Sequence, residues 1–165
     1  MGLAETVKES LSFLKPSCRA SMQSKILLVD DEQDILDILA RTLGIAGYNV
    51  ETACNGQLAL DKVSAQDFDL IVTNIRMPVM SGEAFYCELC NSYPRLSKRV
   101  IFCTGDIANL STQRFLNTTG APVIFKPFQL STVLEVVSWK LAKERSLAHA
   151  PNLPLTRQAA MSTAF

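Results

Sequence analysis

Five polar side chains follow short apolar runs in this sequence, and together they could hold a cation and a phosphoryl group. They are Asp30, Asp31, Asn74, Thr104 and Lys126. Clustered carboxylates need a counter-charge, and hard divalent cations such as Mg²⁺ prefer oxygen ligands. A lysine and a hydroxyl beside such an ion would neutralise a phosphoryl group and hydrogen-bond to it. A carboxylate in the place of Asn74 could attack phosphorus, but an amide is no such nucleophile.

Each of these side chains lies at the end of a predicted strand, and the strands alternate with predicted helices. Continuous apolar runs predict strands over 26–29, 48–53, 69–74, 99–104 and 122–126. Helical spacing predicts helices over 35–46, 58–63, 81–92, 111–119 and 129–145. This alternation predicts an α/β protein, a doubly wound five-stranded parallel sheet with helices on both faces. The carboxyl ends of such strands line one crevice, so we expect the five side chains to meet there.

Composition limits the kinds of partner that the chain can have. The 165 residues predict one domain with tails, and 16 basic and 16 acidic residues give a formal net charge of zero. This balance gives no reason to expect nucleic acid or a membrane surface as the main partner. There is neither a long apolar N-terminal region nor a run of about 20 apolar residues. We therefore predict a cytoplasmic protein.

The cysteines do not predict a disulfide framework, because their number is odd and their spacing irregular. Cys87 and Cys90 form a C-x-x-C pair, but the pair lies inside a helical pattern instead of opening a helix after a strand. The only histidine, His149, lies in a tail, so zinc would lack further ligands. We interpret these cysteines as structural.

The chain from Lys25 to Arg145 resembles the receiver domain of response regulators, the CheY-like family of two-component signalling. The motifs that carry the resemblance are "ILLVDDE", "DLIVTNIRMP" with "SG" soon after, "FCTGD" and "FKPF". The resemblance implies a flavodoxin-like (βα)5 fold that accepts a phosphoryl group from a histidine kinase or phosphotransfer protein. It also implies a downstream effector protein as a second partner, and no enzymatic turnover of its own.

The resemblance assigns four positions to a bound Mg²⁺. Asp31 would ligate the ion directly, Asp30 would do so through a water, and the backbone carbonyl of Arg76 would supply another oxygen. Asn74 matches the aspartate that accepts the phosphoryl group. Its amide oxygen could still ligate the metal, but we expect Mg²⁺ binding to be weakened.

Two further positions match the family, and one departs from it. Thr104 matches the hydroxyl that follows the phosphoryl group when a receiver switches, and Lys126 matches the lysine that pairs with that group. The family's aromatic switch position lies three residues before the lysine and is Val123 here, so coupling between Thr104 and an aromatic rotamer is not expected.

Asn74 leaves two interpretations open. In one, the chain is a natural pseudo-receiver that acts as a phosphate-independent interaction module. In the other, an aspartate was replaced deliberately, which the intact Asp31, Thr104 and Lys126 favour. A third class, a Mg²⁺-dependent phosphohydrolase of related topology, typically carries a D-x-D motif after its first strand, whereas Asp30 and Asp31 are adjacent.

The segments around this domain raise the question of further contacts. We predict an N-terminal extension over 1–24 with a short amphipathic helix, the receiver over 25–145, and a flexible tail over 146–165. On the last helix, Trp139 lies opposite the core stripe, beside Val136 and Lys143. This position suggests a homodimer contact, with the N-terminal helix as another cover for Trp139.

Overall fold

Strands and helices alternate through the part of the chain that the computed structural model describes, residues 23–106 and 108–148. The predictions made for the N-terminal helix, His149 and most of the tail lie outside these residues. The five strands are β1 (Lys25–Val29), β2 (Asn49–Ala53), β3 (Leu70–Asn74), β4 (Val100–Thr104) and β5 (Val123–Phe125). They form one parallel sheet in the order β2-β1-β3-β4-β5, which confirms the predicted doubly wound α/β fold.

Five main helices connect and follow these strands. They are α1 (Gln33–Ile45), α2 (Gly56–Ala65), α3 (Gly82–Ser92), α4 (Leu110–Thr119) and α5 (Leu130–Ala148). A single helical turn at Pro94–Ser97 was not predicted, and it begins with a proline, whose fixed φ suits the first position of a helix. Asparagine or serine side chains cap the N-termini of α2, α3 and α4, which fixes where these helices leave their loops.

The core has two layers, one on each face of the sheet. Helices α1 and α5 pack on one face, and α2, α3 and α4 pack on the other. All residues of β3 and β4 are buried, as expected for central strands covered on both sides. Three rings on the second face, Tyr86, Phe102 and Phe115, pack edge to face with centroids 5.3–5.7 Å apart. Because helices cover both faces of the sheet, a ligand-binding site can form only at the ends of the strands.

The edge strand β2 carries a carboxylate whose effect on stability depends on pH. Glu51 lies 2.8 Å from Lys62 Nζ and 3.0 Å from Lys25 Nζ. Hydrogen bonds from Lys62 and Lys25 lower the pKa of Glu51 from 4.5 to about 2. A lowered folded-state pKa stabilises the fold above the unfolded value, and that contribution is lost as pH falls through the folded value.

We therefore expect Glu51→Gln to lower the free energy of unfolding at pH 7 by no more than about 1 kcal/mol, because the ion pairs are partly exposed. The difference from the unaltered chain should vanish as pH falls from 4.5 to about 2. Urea unfolding at a series of pH values measures this, with the exposed Glu135→Gln as the control. A difference that stayed constant down to pH 2 would contradict the assignment.

Candidate functional site

The polar residues predicted from the sequence meet at the carboxyl ends of the strands. The strand order reverses between β1 and β3, and open α/β sheets bind ligands at such a reversal. Asp30 follows β1, Asn74 ends β3 and Thr104 ends β4. Lys126 lies one residue past β5, which is shorter than predicted, and its backbone N–H still donates to the carbonyl oxygen of Thr104 at 2.8 Å.

The side-chain amide of Asn74 lies at the centre of this crevice and is 8% exposed. Its nitrogen, Nδ2, donates to Asp31 Oδ1 at 3.0 Å and to the carbonyl oxygen of Arg76 at 2.9 Å. A longer contact of 3.4 Å joins Nδ2 to Asp30 Oδ1. The amide oxygen accepts from the backbone N–H of Ile75 at 2.8 Å. The orientation of the amide is therefore set, because the reverse orientation would face oxygen with oxygen and N–H with N–H.

Asp30 is buried and forms an ion pair with the partly exposed lysine that follows β5. The residue is 4% exposed, and its Oδ2 lies 2.7 Å from Lys126 Nζ. Lys126 also donates to Glu32 Oε1 at 2.9 Å, and the N–H of Glu32 donates to Asp30 Oδ1 at 3.1 Å. Burial lowers the pKa of Lys126, but the hydrogen bonds to Asp30 and Glu32 outweigh burial and raise it. Asp31, by contrast, is exposed to solvent.

Thr104 belongs to a second polar group on the loops after β3 and β4. Its side chain is 1% exposed, and its hydroxyl oxygen accepts from the N–H of Asp106 at 3.1 Å. The Asp106 carboxylate accepts from Arg76 Nε at 3.0 Å and from the Thr112 hydroxyl at 3.3 Å. Arg76 Nη2 donates to the same hydroxyl at 3.1 Å. We call Arg76, Asp106 and Thr112 the loop clasp, because they join the β3–α3 loop to the start of α4.

A cavity of about 510 Å³ opens beside Thr104, between α4 and β5. Val123, at the position where the resembling family carries an aromatic ring, is half-buried and lines this cavity. Phe125 also lines it, with its side chain largely exposed. The described residues thus place a small side chain and an open space next to the Thr104 hydroxyl.

The described cysteines are free thiols, with Cys54, Cys87 and Cys90 exposed and Cys103 buried. The C-x-x-C pair therefore lies on the surface of α3 and forms no disulfide. Cys103 is 3% exposed and lines a small void beneath Asp30 and Asn74. Burial raises the pKa of its thiol to about 12, although the nearby Lys126 lowers it in part.

The burial of Cys103 predicts a pattern of thiol reactivity. In the folded chain at pH 8, iodoacetamide should label Cys54, Cys87 and Cys90 and leave Cys103 unlabelled, because the thiolate is the reactive form. Peptide mass mapping gives the extent of labelling at each site, and labelling in urea shows that Cys103 reacts once exposed. Labelling of Cys103 in the folded chain at the rate of Cys54 would contradict the buried placement.

Three residues of the crevice offer oxygen ligands that suit a hard divalent cation, whereas the side chain of Asn74 does not. The carboxylates of Asp30 and Asp31 and the carbonyl of Arg76 surround one point, as ligands of such an ion do. Asn74 presents N–H donors to that point instead of the amide oxygen that the sequence led us to expect. Within residues 23–106 and 108–148, no group of three or more His, Cys, Asp or Glu side chains could hold a metal by itself.

Sequence reasoning missed three side chains that hydrogen-bond to predicted site residues, one beside Lys126 and two in the loop clasp. Glu32 pairs with Lys126, and Asp106 and Thr112 bind the Arg76 guanidinium. Glu32 and Asp106 stand inside the quoted motifs "DDE" and "TGD", so a motif signal existed for them. No local signal marks Thr112.

The fold and this crevice define the class of protein, and comparisons with known proteins agree. Residues 26–138 match the response regulator receiver domain, and the chain belongs to that family. The regulatory protein NisR of nisin biosynthesis in Lactococcus lactis subsp. lactis is 33% identical over 130 residues, which are 78% of this chain and 55% of NisR. The chain spans about half the length of NisR and of the regulatory protein CrdR of Helicobacter pylori.

Solved structures give the same result for the three-dimensional fold. The chemotaxis response regulator CheY4 of Vibrio cholerae has a TM-score of 0.65 at 30% identity, over 72% of this chain and 99% of that one. A CheY-like receiver domain from Methanospirillum hungatei JF-1 has a TM-score of 0.70 at 30% identity, over 76% of this chain and 99% of that one. The flavodoxin-like, CheY-like fold predicted from the sequence is confirmed.

Family membership establishes the general role of the domain. It is a receiver of two-component signal transduction, a class that interacts with histidine kinases and effector domains and typically binds Mg²⁺ in its phosphorylation site. Among the described helices, none combines the length and the apolar character needed to cross a membrane.

Proposed function

We propose that this chain is a receiver domain in which phosphoryl transfer to position 74 is blocked by the amide. The carrying observation is the position of Asn74 among Asp30, Asp31 and Arg76, at the end of the central strand β3. The surrounding residues retain the charges and hydroxyl that a receiver site uses. Phosphoryl transfer is therefore blocked by a single atom, the side-chain nitrogen that stands at position 74 in place of a carboxylate oxygen.

The missing atom is a nucleophilic oxygen. In a chain with aspartate at position 74, a carboxylate oxygen would attack phosphorus while the bond from phosphorus to the donor's leaving group breaks, which leaves an acyl phosphate. The amide of Asn74 carries no charge, and its oxygen is already hydrogen-bonded to the N–H of Ile75. Asn74 therefore presents no negatively charged, nucleophilic oxygen to an incoming phosphoryl group.

The supporting roles fall to Lys126, to Thr104 and to a metal ion held by three further residues. Lys126 would pair with the phosphoryl group, and the Thr104 hydroxyl would follow it as the domain switches. Mg²⁺ would be held by the oxygens of Asp30, Asp31 and Arg76 and would neutralise phosphoryl charge, with affinity weakened by Asn74. We propose a histidine kinase or phosphotransfer protein as the donor and an effector protein as the recipient, in the cytoplasm.

The supporting roles can be tested in the Asn74→Asp background, where hydroxylamine-labile phosphate on the protein is measured over time with acetyl phosphate and Mg²⁺. Adding Lys126→Met should slow phosphoryl gain by about 100-fold, because a charge that stabilises the transition state is lost. Lys62→Met serves as the matched control, since Lys62 pairs with Glu51 on the edge strand and not with the site. Equal rates with and without Lys126 would contradict its role.

A second candidate function, a phosphate-independent interaction module, is favoured by one observation. The Asn74 amide has hydrogen-bond partners at both its nitrogen and its oxygen, so the crevice is stable without a phosphoryl group. If the Asn74→Asp variant gains no phosphoryl group from acetyl phosphate, this module becomes the better assignment. If it gains one, the blocked receiver is supported.

We also propose that a second copy of this chain contacts α5 near Trp139. The indole is 52% exposed, Lys143 Nζ lies 5.1 Å from its ring centroid, and Leu147 is exposed about two helical turns further on. Tryptophan is enriched in interface cores, and here it shares one helix with a second exposed apolar side chain. Sedimentation of the full chain should show a dimer that Trp139→Ala weakens and the exposed Leu110→Ala does not. A monomer at all concentrations would contradict this contact.

A further inference from the structure

We propose that the amide nitrogen of Asn74 occupies the place of the divalent cation, so that this receiver crevice is assembled by hydrogen bonds and Mg²⁺ must displace the amide to bind. The proposal rests on the proposed function, which identifies position 74 as the acceptor position. It goes further because Asn74 would not only lack a nucleophilic oxygen but would also fill the metal site with its side-chain nitrogen.

The distances place the nitrogen where a cation would lie. Asn74 Nδ2 is 2.9 Å from the carbonyl oxygen of Arg76, 3.0 Å from Asp31 Oδ1 and 3.4 Å from Asp30 Oδ1. These three residues supply the same oxygens that would ligate Mg²⁺. Two N–H bonds serve three acceptors, so the contact with Asp30 is the weakest. An ion about 2.1 Å from such oxygens would need the volume that the NH₂ group fills.

The amide is also held against rotation. Its oxygen accepts from the N–H of Ile75 at 2.8 Å, and Ile75 is completely buried. Turning the oxygen towards a cation would bring the NH₂ group against this N–H and leave a buried donor without an acceptor. We expect this cost to weaken metal binding by about 10- to 100-fold. An aspartate would avoid it, because one oxygen could accept from Ile75 while the other faced the ion.

The buried acid of the crevice has a counter-charge within the chain. Asp30, the buried acid, pairs with Lys126 Nζ at 2.7 Å. Asp31, the other acid, is exposed to water and receives an N–H from Asn74. Each carboxylate thus has a hydrogen-bond partner within the chain, and the ion pair of Asp30 reduces the electrostatic attraction of the two acids for a metal ion.

Titration calorimetry with MgCl₂ on the full chain and on two variants tests the proposal. If Asn74 fills the site, affinity should follow the order Asn74→Asp, then Asn74→Ala, then the unaltered chain, with Asn74→Asp at least about tenfold tighter than the unaltered chain. The alanine variant is decisive, because alanine offers no ligand but vacates the space. If Asn74 were merely a poor ligand, Asn74→Ala would bind Mg²⁺ no better than the unaltered chain, which would overturn the proposal.

A second measurement keeps the test valid if Asn74→Ala does not fold. The side-chain NH₂ resonances of Asn74 in the unaltered chain should not shift at the MgCl₂ concentrations that half-saturate Asn74→Asp, and a saturable shift in that range would overturn the proposal. The result for Mg²⁺ binding can be distinguished from the result for phosphoryl transfer. If the unaltered chain binds Mg²⁺ as tightly as Asn74→Asp, but only the aspartate variant gains a phosphoryl group, this inference fails and the blocked receiver stands.

Discussion

Replacing Gly82 by alanine is expected to lower the free energy of unfolding by about 3 kcal/mol or more, or to prevent folding. A Cβ on Gly82 would lie 2.1 Å from the backbone oxygen of Asn74 and 3.1 Å from the Cα of Ile75. Both neighbours are backbone atoms, so neither can move aside by a change of rotamer. The N–H of Gly82 also donates to the carbonyl of Ile75 at 2.9 Å, which ties the start of α3 to the end of β3.

The matched control is Gly44→Ala in α1, where an added Cβ meets nothing within 4 Å. Alanine favours a helix over glycine, so this variant should be more stable than the unaltered chain by about 0.5–1 kcal/mol. Urea unfolding gives both free energies. A Gly82→Ala variant as stable as the unaltered chain would show that α3 does not begin against β3.

The second large effect concerns the charge at position 74. In the absence of metal, Asn74→Asp should lower the free energy of unfolding by about 3 kcal/mol, which is the repulsion of two like charges at a separation of about 5 Å and an effective dielectric of about 20. The substitution also removes the N–H donors to Asp31 and to the Arg76 carbonyl. Mg²⁺ should restore much of this stability, because a cation that binds the folded state stabilises it.

Unfolding in EDTA and in MgCl₂ measures this effect. Asn91→Asp makes the same chemical change on the exposed surface of α3 and should alter stability by less than about 0.5 kcal/mol. Equal stability of Asn74→Asp and the unaltered chain in EDTA would show that the acids at this crevice do not interact with position 74.

Much of the fold could be predicted because its signals are local. The continuous apolar runs at Ile26–Val29 and Leu70–Val72 indicate strands covered on both faces, and the structure confirms them. The end of β5 was placed one residue too late, since Lys126 continues the pattern of backbone hydrogen bonds beyond the strand. The positions of the site residues at strand ends follow from the parallel topology, which fixes where side chains meet.

The direction of the Asn74 amide could not be predicted in the same way. Oxygen and nitrogen branch from the same atom, and only the surrounding donors and acceptors decide which one faces the acids. The N–H of Ile75, the next residue, takes the oxygen and turns the nitrogen inward. The loop clasp was missed for a related reason, because Arg76 meets Asp106 and Thr112 across 30 and 36 residues of sequence.

Intact mass after incubation with acetyl phosphate and Mg²⁺ tests the central claim most directly, on the unaltered chain and on Asn74→Asp side by side. We expect the unaltered chain to keep its mass and the variant to gain one phosphoryl group, because position 74 lacks only a nucleophilic oxygen. A phosphoryl group on the unaltered chain, or none on the variant, would contradict the account of a receiver blocked at Asn74.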